Sequence, residues 1–590
     1  FFGEFVFRSK LGLRRFEKIL PAKDKRSNCA HFIRRWQDTK KYEESFLKAH
    51  REFQEKYDDI TEPEHSIEKL SKVSGLKSVD DFLLKRVDKK FENGEKVDIE
   101  ELSEIVEKRR ELFWGQREPG RNGGDWDYLY HVSKCLKMID NGYPRNEFGK
   151  IIDYYTDEGW RIDHEFRKAA EIRNSISLIE KAKSHLESKY YQYLREINDC
   201  FSESFSISNS SIPPQSKVFE TIEEGSAIII VDALRYELAQ DLIGNKEVRP
   251  YLGVLPTITE TGMTAILPKP EDRLNFTEEN GEFSVLYEGT DINSRNDRIE
   301  KLSSEDLSIY RDTSSLLKCD PEEIKSEIER GKRIIVFSQE IDLTGESLDA
   351  PSLSKFKKNI GDINKVIETL QKGGVETVYV ITDHGFLYKP REMASESVSK
   401  PEGNIVKFGR RYAIGRDLDS DFVIFPNIED YGIDSDLEFA FPRSLGTFKK
   451  RGGSRKYLHG GISLQEMIVP VVRIVSNGKE TEKKTVVKIT DVPDRIANPY
   501  FKVGVKLVSS ALDVGEKRVR IEPKQFGKEI GDNVYCSAGV TESAATVKLD
   551  LDEVEDQSGE LELYFYDDET EVLIDQKQIN LDLVYTDGEI

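Results

Sequence analysis

The chain has 590 residues, 37% hydrophobic, 34% charged and 10% aromatic, which excludes wholesale disorder and is too long for one core, so about three to four domains are expected. A formal net charge of −22 excludes general adhesion to nucleic acid or anionic membrane, while a local basic groove stays compatible with it. Five scattered cysteines, Cys29, Cys135, Cys200, Cys319 and Cys536, form no Cys-x-x-Cys pair, which argues against a disulfide framework or a zinc ribbon.

Apolar runs such as Ala227–Val231 and Met467–Val472 fall far short of the ~20 residues of a membrane-spanning helix. No membrane is therefore expected as a partner, and a reducing cytoplasm is the expected location. The opening Phe1-Phe2-Gly3-Glu4 has neither an initiator methionine nor a signal-peptide core, and reads as the start of a fragment of a longer protein.

Residues 1–215 are predicted to be helical. Leu102, Ile105, Val106, Leu112 and Phe113 recur at three- and four-residue spacing, with charged residues on the other faces. A second pattern through Phe166, Ala169, Ile172, Ile176, Leu178 and Ile179 to Leu194 predicts another long helix. The polar, proline-bearing stretch Ser208–Gln215 marks a boundary.

Residues 216–480 change character. Ala227–Val231 is a continuous β-branched run of the kind buried on both faces of a sheet. Similar runs at Ile334–Phe337, Thr377–Ile381 and Phe422–Phe425 are separated by helical patterns, which predicts an α/β domain with a mainly parallel sheet. Ile468–Val472 closes the region, and Pro470 suggests an edge position or a strand end. From 481 to 590 the pattern has period two between turn signals, which predicts a small all-β, sandwich-like domain for packing or partner binding.

Chemistry collects where these strands end. Asp232 follows the first run, Asp342 the Ile334–Phe337 run, Asp383 and His384 the Thr377–Ile381 run, and His459 precedes the last. In open parallel sheets ligands bind at carboxyl ends of strands. Only two of the eight histidines, His384 and His459, lie between 216 and 480, and both abut glycine. A single strand-end Asp is usually a helix cap. Four such sites in one sheet point to a metal centre.

The segments Val231-Asp232-Ala233-Leu234-Arg235-Tyr236-Glu237, Leu255-Pro256-Thr257-Ile258-Thr259-Glu260-Thr261-Gly262, Thr382-Asp383-His384-Gly385 and His459-Gly460-Gly461-Ile462-Ser463-Leu464-Gln465-Glu466 resemble the PglZ domain, of the alkaline-phosphatase superfamily, over about 216–475. The resemblance implies two divalent metals, zinc first with manganese as the alternative, and a Ser or Thr nucleophile. By motif, Asp232, Thr259, Asp383 and His384 would hold one metal, and Asp342 and His459 the other. Glu346 stands where the superfamily often has a second-site histidine. Thr259 is the expected nucleophile, with Thr261 as the alternative. Arg235 is a candidate contact to the phosphoryl group, an exposed helix-face arginine being the competing reading. The family also implies partners among phage-defence proteins such as those of BREX systems.

Lys407, Arg410, Arg411, Arg416, Arg443, Lys449, Lys450, Arg451, Arg455 and Lys456 fall between the two metal motifs. Lys449, Lys450, Arg451, Arg455 and Lys456, which run almost into His459, are the expected substrate-binding set; a solvated loop is the other reading. Cations beside a metal site suit a polyanion such as DNA or an oligonucleotide. The expected function is a metal-dependent phosphodiesterase or nuclease. The alternatives are a phosphomonoesterase, or mainly a scaffold subunit of a defence complex.

Overall fold

The computed structural model describes residues 40–57, 77–92, 98–116, 123–172, 178–268, most of 274–476 and most of 486–583, with a few isolated positions before residue 40 and at Ser71. The chain forms two compact units, Phe1–Ser476 and Asn477–Ile590.

In the first unit the β-branched runs form a six-stranded sheet. Its strands are β1 (Ala227–Val231), β2 (Asn245–Leu252), β3 (Leu307–Tyr310), β4 (Arg333–Ser338), β5 (Thr377–Thr382) and β6 (Ile468–Val475), in the spatial order 2-6-5-1-4-3. All five residues of β1 are buried, as a strand covered on both faces requires. β1 pairs parallel with β4 and β5, and β3 with β4. β6 runs antiparallel to both β5 and β2, so the sheet is mixed. Because β6 is reversed, the loop that enters it lies at the same sheet end as the loops leaving β1, β4 and β5. That places His459 beside the strand-end aspartates.

Two expectations need correction. Pro470 sits in an interior strand, opposite Pro250 of β2. It is tolerated there because β5 pairs only with Val472–Val475, so no ladder on that side asks Pro470 for an N–H. The Phe422–Phe425 run does not join the main sheet. Val423–Ile424 pairs antiparallel with Glu438–Pro442 in a separate four-stranded sheet, and Phe422 lies outside the described residues. The segment between β5 and this run contains no helix longer than one turn among the described residues, so no crossover can return it parallel to β5.

The helical region packs on this sheet. Leu129, Ile152 and Tyr193 belong to the same buried cluster as Ile229 and Val231. Ser208–Gln215 thus separates kinds of element within one compact unit. Gln215 is itself buried, and its side chain donates to Thr382 O (2.9 Å) and Asp383 O (2.6 Å) while accepting from Val254 N (3.0 Å). The long pattern after Phe166 is interrupted. Helix Trp160–Glu171 ends as Ile172 turns extended, and a new helix runs Glu180–Glu203. Ile176 lies outside the described residues.

The second unit contains a three-stranded and a six-stranded sheet. Val503, Val505 and Val547 from the first share a core with Val519, Ile521, Leu563 and Phe565 from the second. Alternating burial along Glu560–Asp567 is the period-two pattern of a strand with one covered face.

Candidate metal centre

β1 delivers Asp232 directly at its end, and the chain then turns through Ala233 in the left-handed region (φ 66°). The turn aims two amides across to β5: Ala233 N donates to Asp383 Oδ1 (3.0 Å) and Leu234 N to Thr382 Oγ1 (2.9 Å). Asp383 Oδ1 also accepts from His384 N (2.8 Å). One oxygen of Asp383 is thus occupied by backbone, and Oδ2 is left facing His384 Nε2 at 3.3 Å. Asp232 Oδ1 stands 3.8 Å from the same nitrogen. His384 Nδ1 lies 2.9 Å from Gly385 O, where it donates, so Nε2 carries the lone pair.

Thr259, the first residue of helix Thr259–Ala265, places Oγ1 3.4 Å from His384 Nε2. The helix approaches closely because position 262 is glycine: a Cβ there would lie 2.3 Å from Asp383 O. Thr261 is differently engaged. It is fully buried, and its hydroxyl donates to Ile258 O (3.0 Å) and lies against Pro256 O.

A second group lies alongside. Asp342 and Glu346, one turn apart on helix Glu340–Glu346, both face His459 Nε2, each at 3.9 Å. Tyr457 donates to Asp342 Oδ1 (2.9 Å) and fixes that carboxylate. The rings of His384 and His459 stack 4.6 Å apart at 6°. Within each group, Asp232–Asp383–His384 and Asp342–Glu346–His459, one donor atom per residue lies within 4.8 Å of the others.

The electrostatics of the two groups follow from burial and from the charges they place beside one another. Burial, then the charge of Asp383, holds Asp232 well above the usual carboxylate range. Burial pushes Asp383 up to about 7, against the pull of its amide bonds. Burial and the neighbouring His459 lower His384. For His459 burial acts downward, but the bond to Glu346 and the charges of Asp342 and Asp232 overcome it and push the ring up to about 9. Asp232 Oδ1, Asp383 Oδ2 and His459 Nδ1 are buried without any hydrogen-bond partner. Buried polar atoms in folded proteins are nearly always paired. Unpaired carboxylate oxygens beside an imidazole lone pair form a donor set that suits a divalent cation.

Residues 214–474 match the family model of the BREX system PglZ alkaline phosphatase-like domain. The chain carries a PglZ domain. Two curated relatives are similar. The alkaline phosphatase-like protein BrxZ of Escherichia coli O9:H4 (strain HS) is 24% identical over 437 residues, covering 67% of this chain and 50% of the relative. The alkaline phosphatase-like protein PglZ of Bacillus cereus (strain H3081.97) is 27% identical over 301 residues, covering 48% of this chain and 34% of the relative. The chain thus spans about half the length of the first and about a third of the second. Among solved structures, phosphonoacetate hydrolase from Sinorhizobium meliloti 1021, in complex with phosphonoacetate, aligns at 11% identity and a TM-score of 0.27, over 44% of this chain and 92% of that one. A likeness that low carries no argument.

Other expected residues of the PglZ domain lie elsewhere. Arg235 is neither exposed nor in the metal pocket: it is 2% exposed, bonded to Asp163 of the helical region at 2.8 Å, and stacked on Phe386. The sequence shows that Arg235 follows Asp232 by three residues, but the turn at Ala233 directs it toward the helices. Arg411 is fully buried on Glu466 (2.7 Å), Lys407 pairs with Glu260 (2.8 Å), and Arg416 pairs with Glu278 and Asp436. Lys449, Lys450, Arg451 and Arg455 are exposed; Lys450 and Arg451 line the cavity that holds His459, Lys449 and Arg455 line only a second cavity, and Lys456 lines neither.

Three side chains that shape the site had no motif to announce them. Tyr457 orients Asp342, as described. Glu466 accepts from Gly461 N (2.9 Å) and holds Arg411, which fixes the Gly460–Gly461 turn after His459. Arg298, 7% exposed, sits in the field of Glu260, Asp383 and Asp232, and burial lowers its pKa against those charges. A glycine pair beside histidine hinted at the turn; nothing in the sequence hinted at Arg298.

Proposed function

We propose that the PglZ domain of this chain is a two-metal phosphoric-ester hydrolase, a phosphodiesterase first, with Thr259 as nucleophile. The observation that carries the reading is the pair of adjacent donor groups with orphaned buried atoms, the inner one touching the Thr259 hydroxyl. Two divalent cations, when bound, supply the charge that stabilises the attacking and leaving oxygens of an in-line displacement. Asp232, Asp383, His384 and Thr259 would hold one, and Asp342, Glu346 and His459 the other. Zinc is the first choice, as the family resemblance implies, and manganese, which tolerates a set of two carboxylates and one imidazole better, is the second.

Thr259 Oγ1 forms the new bond to phosphorus, the bond to the leaving oxygen breaks, and water then hydrolyses the threonine ester and restores the hydroxyl. Asp383 keeps Oδ2 directed at the centre because backbone amides occupy Oδ1. Tyr457 does the same for Asp342. A cavity of about 480 Å³ opens beside Glu346 and His459 and carries Arg410, Lys450 and Arg451 in its wall. It has room and charge for a second ester group, which favours a diester over a monoester.

Both curated relatives are named alkaline phosphatase-like, and the matching family model is of the BREX system. We extend that setting to this chain as a component of anti-phage defence acting in the cytoplasm with other defence proteins. No helix among the described residues is long and apolar enough to cross a membrane. Turnover of bis- against mono-p-nitrophenyl phosphate by the zinc- or manganese-loaded protein tests the reading. Faster turnover of the diester is expected. Faster monoester turnover would make it a phosphomonoesterase, and full metal occupancy without hydrolysis of either would leave the scaffold role.

A further inference from the structure

A second cavity, of about 550 Å³, adjoins the first, and the two share Arg410, Lys450 and Arg451 as a common wall. The second is lined as well by Lys389, Lys449 and Arg455, so six cations face a space whose lining contains a single carboxylate, Glu392. Two of those charges are already answered: Lys389 by Glu396 (2.8 Å) and Arg455 by Glu392 (3.5 Å). Arg410 and Lys450 are held only by carbonyls, those of Gly452 and Phe408. Among the described residues no carboxylate reaches Arg410, Lys449, Lys450 or Arg451, although Lys407, Arg411, Arg416 and Arg473 nearby in sequence are all ion-paired. Burial and then the positive charge of Arg455 lower the pKa of Arg410, with the charge of Glu392 pulling the other way. In a chain of net charge −22 this is a concentrated positive site, compensated only in part.

We propose that the second cavity seats a non-scissile phosphate of a single-stranded nucleic acid, the neighbour along the chain of the ester held at the two donor groups. The inference rests on the phosphodiesterase reading and names its substrate class. The shared wall makes the two cavities consecutive, so one strand passes from His459 and Glu346 over Arg451 and Lys450 to Lys449 and Arg455. Arginine forks and lysine ammonium groups without carboxylate partners match phosphate oxygens. A duplex presents its phosphates on a convex cylinder, whereas a flexible single strand can enter two concave cavities in turn.

The test uses the metal-loaded full chain on the thymidine dinucleotide TpT, which has one phosphate, and on TpTpT, which has two. The kcat/KM for TpTpT should exceed that for TpT by about tenfold at low salt, with the gain shrinking as salt rises. The double variant Lys449→Ala/Arg455→Ala, both at exposed positions, should bring that ratio close to one. A wild-type ratio of one, or a ratio that survives the double substitution, overturns the proposal while turnover of bis-p-nitrophenyl phosphate keeps the hydrolase reading alive. Should no ester be cleaved, the hydrolase reading fails, and anisotropy of a fluorescein-labelled phosphorothioate pentathymidylate decides the cavity separately. Binding weakened about tenfold by the double variant supports the cavity, with a salt slope reduced by roughly 0.7 per lost phosphate contact. Unchanged binding, or equal affinity for a duplex of the same length, overturns it.

Discussion

Thr259 presents its hydroxyl to His384, while Thr261, two positions on, turns its own inward to backbone carbonyls. The two substitutions should therefore differ in kind. Thr259→Ala should lower kcat by ~10³-fold or more with metal content kept, since Asp232, Asp383 and His384 remain; Thr259→Ser should retain substantial activity. Thr261→Ala should instead cost about 1 kcal/mol of stability through the lost hydroxyl bonds, since Pro256 O and Ile258 O keep their backbone donors, with catalysis little changed. Steady-state rates and denaturant melts separate the two, and a dead but stable Thr261→Ala would invert the assignment. The proposed ligands would also make metal binding depend on pH. Asp383 at about 7 and His459 at about 9 carry protons in the metal-free protein that a cation must displace, so metal affinity should rise with pH through both values and level off above them. Calorimetry in buffers of different ionisation enthalpy should show proton release near neutral pH, and an affinity flat or falling over that range would contradict the ligand set. Residues of this kind were legible because each flanks an apolar run, which fixes its place at a sheet end. Arg235 was misread for a physical reason: spacing along the chain gives the distance from Asp232, and a left-handed turn at Ala233 decides the direction.

At the scale of elements, one carboxylate from the helical region ties the two metal loops together. Asp163, on helix Trp160–Glu171, is fully buried and accepts from Tyr155 (2.7 Å), Tyr190 (2.7 Å) and Gln465 (3.0 Å) besides pairing with Arg235. Arg235 follows Asp232 by three residues and Gln465 follows His459 by six. Gln465 is braced in turn by Asn198 of helix Glu180–Glu203 (3.0 Å). Asp163→Ala takes from the buried Arg235 guanidinium its nearest carboxylate, leaving Glu237 at 3.8 Å, and should destabilise the first unit by roughly 3 kcal/mol. Molecules that stay folded should lose metal at both groups, whereas Asp163→Asn, whose one oxygen can still accept from one of the two tyrosines, should recover part of it. Metal analysis of the folded fraction checks this, and full occupancy in Asp163→Ala would show that the helices merely cover the sheet. Strand runs covered on both faces were legible in the sequence, and so was the alternating second unit. The network was not, because its members lie as many as 302 positions apart and a lone Asp in a charged helix reads as surface. Val423–Ile424 misled for the opposite reason: an apolar run shows that a strand exists, not which sheet it joins.

For the whole molecule, every residue of both donor groups and both cavities lies within Phe1–Ser476, and Asn477–Ile590 closes a core of its own. A chain ending at residue 476 should therefore bind metal and hydrolyse bis-p-nitrophenyl phosphate at rates within about twofold of the full chain, sites without shared partners acting independently. Loss of metal from that shortened chain would mean the β-rich unit supports the site. The net charge of −22 concealed a place where, among the described residues, cations gather without carboxylate partners, since a sum over the chain carries no positions. The central claim is that two cations sit side by side, one on Asp232, Asp383 and His384 and the other on Asp342, Glu346 and His459. Anomalous scattering from crystals grown with zinc, read on both sides of the zinc edge, tests it most directly. Two peaks are predicted, one at each group, with the inner one within bonding distance of Thr259. A single peak, or peaks away from these six side chains, would contradict the account.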